Sequence, residues 1–271
     1  MENFKLCGIQ ISSNGSVSSN IDKAIKNLNE AVERYSPHLV VFPETVTTGF
    51  NPGLSREELW DLLEPNILFD KIEKAAKDLD VHLLWPTYER GKEKCEIYNS
   101  AFLYGPDGYI GKYSKTHLFP TERIEHGGWS LPGCEAPVFQ LPFAKIGIII
   151  CFDGDFPELS LKLAEKGAEV ILRPSAFLRS YDIWKLTNRA RAYDNHVFVA
   201  GINQCGFDPS DTHYYGNSMV VSPVGQILAH ARGIEEIICC ELDKKDLELV
   251  TFGSDEKRIF DHLKDRNKDV K

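Results

Sequence analysis

The sequence predicts a layered α/β fold in which two sheets lie face to face with helices outside. Three observations carry this. Short apolar runs of strand length are joined by amphipathic helical stretches, and others by hairpin signals. Both halves of the chain repeat that mixture. No linker, low-complexity block or short-period repeat separates them, so residues 1–271 read as one domain.

The elements follow in order. Residues 4–12 form an apolar run of strand type. Ile21, Ala24, Ile25, Leu28, Ala31, Val32 and Tyr35 then recur at helical spacing, and Pro37 closes that helix. Residues 39–42 read as a short buried strand ending at Pro43 and Glu44. A strand, a helix and a strand in sequence predict two parallel strands with a right-handed crossover. Residues 56–79 read as helix interrupted at Pro65, and 81–87 and 97–104 as strands. Gly105-Pro106-Asp107-Gly108 turns the second of these back on itself. Residues 114–134 are polar and aromatic without a period, and long irregular segments of this kind often carry function.

Residues 138–141 and 145–150 form another hairpin, which leads to Cys151. Helix is expected over 159–166, and strands over 170–172 and 197–203. Helix 181–195 should lie on its apolar residues Ile183, Leu186, Ala190 and Tyr193. Pro223-Val224-Gly225 marks a further hairpin, followed by a strand over 234–242 and a short helix over 244–249. The last stretch, 255–271, is densely charged and reads as either a solvated helix or an arm across a partner, the arm being preferred.

Composition narrows the function. Hydrophobic residues make up 42% and charged residues 26%, ordinary values for a soluble globular protein. A net charge of −9 argues against a general nucleic-acid binder. No apolar run reaches membrane-spanning length, so no membrane partner is expected. The chain starts without a signal-peptide pattern, and its seven irregularly spaced cysteines fit reduced thiols in a cytoplasmic protein. The eight histidines form no helical pair with a carboxylate and there is no Cys-x-x-Cys, so no metal is expected.

Three reactive side chains stand at or near strand ends. Cys151 sits where an apolar strand meets Asp153-Gly154, just before a helix opened by Pro157. A sharp elbow there would present the sulfur to helix-terminal N–H groups, which favour a thiolate. A buried core cysteine accounts for the stretch equally well. Glu44 could take the cysteine's proton, and Lys115 could hold a carbonyl oxygen as it becomes an oxyanion, with help from the N–H after Cys151. Attack would give a thioester, which water would release as the acid. Taken singly, Glu44 is more often a loop carboxylate and Lys115 a surface lysine.

Phe42-Pro43-Glu44, Tyr98-Asn99-Ser100-Ala101, Lys112 to Leu118, Gly147 to Glu158, Arg189-Ala190-Arg191-Ala192, Asn203 and Gly216-Asn217-Ser218 together resemble the nitrilase, or carbon–nitrogen hydrolase, superfamily over nearly the whole chain. The resemblance implies a four-layer αββα sandwich and a Glu44–Lys115–Cys151 triad without metal or cofactor. It also implies a homodimer or higher homo-oligomer. Glu122, by spacing, matches a second glutamate found in many members, with Glu125 as the alternative. Two departures matter. Asp155 stands where the commoner pattern after the cysteine has an arginine, so that Cys151-Phe152-Asp153-Gly154 is closer to amidase-type forms. The tryptophan–glutamate pair of true nitrilases is absent.

The expected activity is therefore cleavage of a small aliphatic amide or ω-amide to acid and ammonia. The alternatives are hydrolysis of an N-carbamoyl amine and, in a different class, a non-catalytic binding member of the fold. Phe152, Arg173 and Phe177 are the substrate-binding candidates. Arg173 could meet a substrate carboxylate bidentately, although an arginine in that setting is more often a structural ion-pair partner.

Overall fold

The computed structural model describes residues 1–63, 65–249, 256–267 and 269, with 65–68 described by backbone only. The first sheet contains Phe4–Gln10 (β1), Leu39–Val41 (β2), His82–Arg90 (β3), Ile97–Gly105 (β4), Gly108–Ser114 (β5) and, near the end of the chain, Glu236–Leu242 (β14). Its order is β14-β1-β2-β3-β4-β5. The second contains Val138–Gln140 (β6), Lys145–Ile148 (β7), Val170–Ser175 (β8), Phe198–Asn203 (β9), Met219–Val221 (β12) and Ile227–His230 (β13), in the order β13-β12-β9-β8-β7-β6. Cys205–Phe207 (β10) and His213–Tyr215 (β11) form a separate two-stranded ribbon. As expected, β1 and β2 are parallel, with Cys7 opposite Val40.

Alternation along the strands makes the layers. Leu6 of β1, Val41 of β2, Leu84 of β3 and Leu103 of β4 pack in one core with Ile148, Leu172 and Ile202 of the second sheet. The intervening Ile9, Val40, Trp85 and Phe102 face the other way. They pack against Ala24 and Leu28 of helix Val17–Tyr35 (α1) and Ile72 of helix Pro65–Asp78 (α3). Between them lies the short helix Arg56–Leu62 (α2), opened by a capping box of Ser55 and Glu58. Helices Pro157–Glu165 (α4) and Tyr181–Asn195 (α5) cover the far side of the second sheet. The result is an αββα sandwich. The two sheets come close where Gly8 faces Ile202, because a Cβ on Gly8 would lie 2.2 Å from Ile202 Cδ1.

Some expectations need correction. On α5 the buried residues are Trp184, Asn188, Arg191, Ala192 and Asn195, whereas Ile183, Leu186 and Tyr193 are exposed. The inward face mixes Trp184 and Ala192, which join the core, with polar residues: Asn188 Oδ1 accepts from Arg173 of β8, and Arg191 Nε donates to the Gly154 carbonyl. The helix expected over 244–249 is a 3-10 turn, Lys244–Leu247. Cys7 and Cys239 form a disulfide rather than remaining reduced. They are directly opposed in the β1–β14 ladder, with Cα atoms 4.1 Å apart. The described part of the charged arm folds back, with Arg258 N donating to Glu248 O and His262 beside Tyr193 at the end of α5. Residues 255, 268, 270 and 271 of that arm lie outside the described residues.

Candidate active site

Glu44 follows β2, Lys115 follows β5, and Glu122 lies in the 3-10 turn Pro120–Glu122. All three side chains are fully buried and meet in one cluster. Lys115 Nζ donates to Glu44 Oε1 at 2.7 Å and to Glu122 Oε2 at 2.5 Å. Asn99 on β4 donates through Nδ2 to Glu44 Oε1 at 2.7 Å and to Glu122 Oε1 at 2.9 Å. Glu44 Oε2 accepts from the N–H of Ala176 at 2.7 Å, and Glu122 Oε2 from that of Phe119 at 3.0 Å. Gln204 fixes the Glu44 carbonyl from β10's side of the fold. Every carboxylate oxygen thus has a partner, as burial of charge demands. The expected choice between Glu122 and Glu125 falls on Glu122 as the residue in the cluster, since Glu125 is exposed in the next 3-10 turn.

Cys151 starts a 3-10 turn, Cys151–Asp155, directly after β7 and its two-residue extension. Its φ of 46° is left-handed, a conformation that costs a non-glycine residue roughly 1–3 kcal/mol and needs support. Asp153 and Arg173 supply it. Asp153 Oδ2 accepts from the N–H of Ile150 at 2.8 Å and from Tyr113 at 2.7 Å, while Oδ1 accepts from the N–H of His117 at 2.8 Å. One buried carboxylate therefore ties the cysteine elbow to the segment carrying Lys115. Arg173 Nε donates to the Cys151 carbonyl at 2.9 Å, and Nη1 reaches Thr187 and Asn188 on α5. The close fit requires glycine at 154, where a Cβ would lie 2.1 Å from Arg173 Cζ.

Burial sets the ionisation states. It pushes the Cys151 thiol well up, and Glu44 adds to that, against the smaller pull of Lys115 and Arg173. Burial thus favours the thiol, against the thiolate that helix-end N–H groups were expected to favour. Burial alone would lower the Lys115 ammonium, but Glu122 and Glu44 outweigh it and the lysine stays above its ordinary value. Glu122 is raised, chiefly by burial.

A small cleft opens onto Cys151 between Phe50, Phe119, Phe152 and Phe177, with Arg179 on its outer side. Two of the substrate-binding candidates, Phe152 and Phe177, line it. Arg173 does not: it lies behind the cysteine, fully buried, its guanidinium over the Trp184 ring at 4.9 Å. Phe177 is held by Asn203, whose Oδ1 accepts from the Phe177 N–H at 2.7 Å and whose Nδ2 donates to its carbonyl at 3.1 Å. Tyr88 fixes Phe50 through its carbonyl at 2.7 Å. Sequence reasoning singled out neither the bridging role of Asn99 nor Arg179. For Asn99 the available signal was a polar residue inside an otherwise apolar strand.

The arrangement can activate a sulfur beside a carboxylate and an ammonium, which is the equipment of a thiol hydrolase on an αββα sandwich. The comparisons agree. The family model for carbon–nitrogen hydrolase matches residues 6–251, and the chain belongs to that family. It is 35% identical over 226 residues to a nitrilase of Pyrococcus abyssi, covering 80% of each chain. It is 29% identical over 258 residues to the omega-amidase NIT2 of Homo sapiens, covering 91% of each. Among solved structures it is similar to Nit3 of Saccharomyces cerevisiae, a member of branch 10 of the nitrilase superfamily. There the TM-score is 0.81 and the identity 29%, over 91% of this chain and 92% of that one.

Proposed function

We propose that the protein hydrolyses small aliphatic amides or ω-amides to the acid and ammonia through a thioester on Cys151. The supporting observation is the buried Glu44–Lys115–Glu122 cluster beside a cysteine that opens into an apolar cleft. Family membership and the likeness to omega-amidases support the same reading.

In this mechanism the amide carbonyl enters beside Cys151. Because burial favours the thiol, nucleophile formation and proton removal are coupled: Glu44 takes the Sγ proton as sulfur bonds to the carbonyl carbon. The oxygen gains the electron pair and is stabilised by the Lys115 ammonium and the backbone N–H after Cys151. Collapse of this intermediate breaks the C–N bond, and the proton on Glu44 goes to the leaving nitrogen, which departs as ammonia. Water then gives a proton to Glu44 and attacks the thioester. Acid is released and sulfur recovers its proton. Glu122 holds the other side of Lys115, keeping the ammonium charged and aimed.

The test is ammonia release from a panel of amides, ureido acids and nitriles, with mass spectrometry for an acyl adduct on Cys151. Amides are expected to turn over and Cys151→Ala to abolish turnover while circular dichroism stays native. Retained activity in that variant would remove the nucleophile. Preference for ureido acids would favour N-carbamoyl amine hydrolysis instead. We also infer a homodimer. Ile183, Leu186 and Tyr193 leave an apolar face on the outside of α5, and a second copy would cover it. Light scattering giving the mass of a single chain would count against this.

A further inference from the structure

We propose that Arg179 is the specificity-determining residue of this site, selecting amides that carry a carboxylate at the end remote from the scissile bond. The proposal rests on the amidase reading above and narrows its substrate class to monoamides of short dicarboxylic acids.

Arg179 is the charged side chain among the residues lining the cleft, whose walls are otherwise apolar or aromatic apart from Cys151. Its guanidinium lies over the Phe177 ring at 4.7 Å and the Phe152 ring at 5.6 Å. Two of the cleft's own aromatic walls therefore orient it. Nη2 donates to Asp155 Oδ2 at 2.5 Å. Among the described residues no other hydrogen bond engages the guanidinium, and 32% of the side chain is exposed. Its remaining N–H groups are free to meet a planar anion in the cleft.

Asp155 does not cancel this charge. The same carboxylate lies 3.7 Å from Arg173 Nη2, so two guanidinium groups share one anion. Burial lowers Arg173 to about 10, which still leaves it charged at neutral pH. At the other end of the site, one ammonium, Lys115, stands between two carboxyl groups, Glu44 and Glu122. Arg179 thus keeps positive charge at the lining of the cleft, while Arg173 and the Lys115 cluster lie behind it. A substrate with an anionic tail enters amide first, with its carboxylate left at Arg179. A cationic amide would be repelled there, and a neutral one would be held by apolar contact alone.

The experiment compares kcat/KM for succinamate and glutaramate with that for butanamide and pentanamide, matched in carbon number. The wild-type enzyme should prefer the carboxylates by roughly 10- to 100-fold, the range of one charge-assisted hydrogen-bonded contact. Arg179→Met should bring the ratio close to one, and Arg179→Lys should restore part of it. General damage to the site would lower both substrate sets together and leave the ratio standing. A wild-type ratio near one with ammonia released from both sets overturns the proposal and leaves the amidase reading intact. A ratio that survives Arg179→Met overturns it as well. No ammonia from any of the four compounds overturns the amidase reading and this proposal with it.

Discussion

Two sets of opposite charges lie around the site, one buried beneath it and one at the cleft lining, and they are built differently. Lys115, Glu44 and Glu122 have no solvent exposure, and backbone N–H groups and Asn99 complete their hydrogen bonding. Arg179 and Asp155 are partly solvated, and a single hydrogen bond joins them. Buried charges that lose a partner are strongly destabilising, whereas exposed pairs contribute little. The inner set can therefore hold a reacting group in one geometry, at the risk of the fold. The outer pair is free to exchange partners and can serve recognition without endangering stability.

The sharpest way to break this contrast is to remove one cation from each set. Lys115→Met leaves two buried carboxyl groups without their ammonium. It should cost about 3–5 kcal/mol of unfolding free energy and abolish turnover. Arg179→Met should cost about 1 kcal/mol or less. Urea denaturation read by fluorescence measures both, and equal losses would dissolve the distinction.

Glu122→Gln should have a smaller effect. It keeps the shape but sets an amide against the donor of Asn99. We expect a loss of about 1–3 kcal/mol and a roughly 10- to 100-fold fall in kcat, with Lys115 still paired to Glu44. Unchanged kinetics would take Glu122 out of the mechanism.

An effect confined to acid pH concerns His196, buried without a carboxylate in hydrogen-bond contact. Burial, with Arg258 and His262 nearby, lowers it to about 4, while Asp261 pulls weakly the other way. The unfolded chain binds the proton near pH 6.5, before the folded one does. Stability should therefore be full above that pH and fall as pH drops from about 6.5 to about 4, by up to about 3 kcal/mol. His196 caps α5 in a left-handed conformation, which asparagine tolerates. His196→Asn should flatten this part of the stability profile. Parallel wild-type and variant profiles would show that burial there carries no titration penalty. Lys115 is the counterpart: it is buried more deeply yet keeps its charge, because its neighbours are anionic.

Much of this was legible in the sequence, for identifiable reasons. Glu44, Lys115 and Cys151 end or follow strands, and strand ends in a layered sheet gather at common edges. The layers themselves follow from alternation along β1 to β4. The face of α5 was not legible, because its inward side mixes Trp184 and Ala192 with the polar Asn188 and Arg191, while Ile183, Leu186 and Tyr193 point outward. An apolar period identifies a face but not which side of the helix the fold will cover. Arg173 was misplaced for a similar reason: a strand residue's type does not say whether it points into the cleft or behind it. The ionisation of Cys151 depends on total burial, which no local pattern around it encodes. Asn99 acts by bridging two glutamates that are far from it in the chain.

The left-handed, deeply covered Cys151 has one more consequence. Burial disfavours the thiolate, the form that peroxide and adventitious alkylating agents attack. A bound molecule that accepts the attack as the proton leaves offsets that cost, which ties the reactivity of the sulfur to occupancy of the cleft.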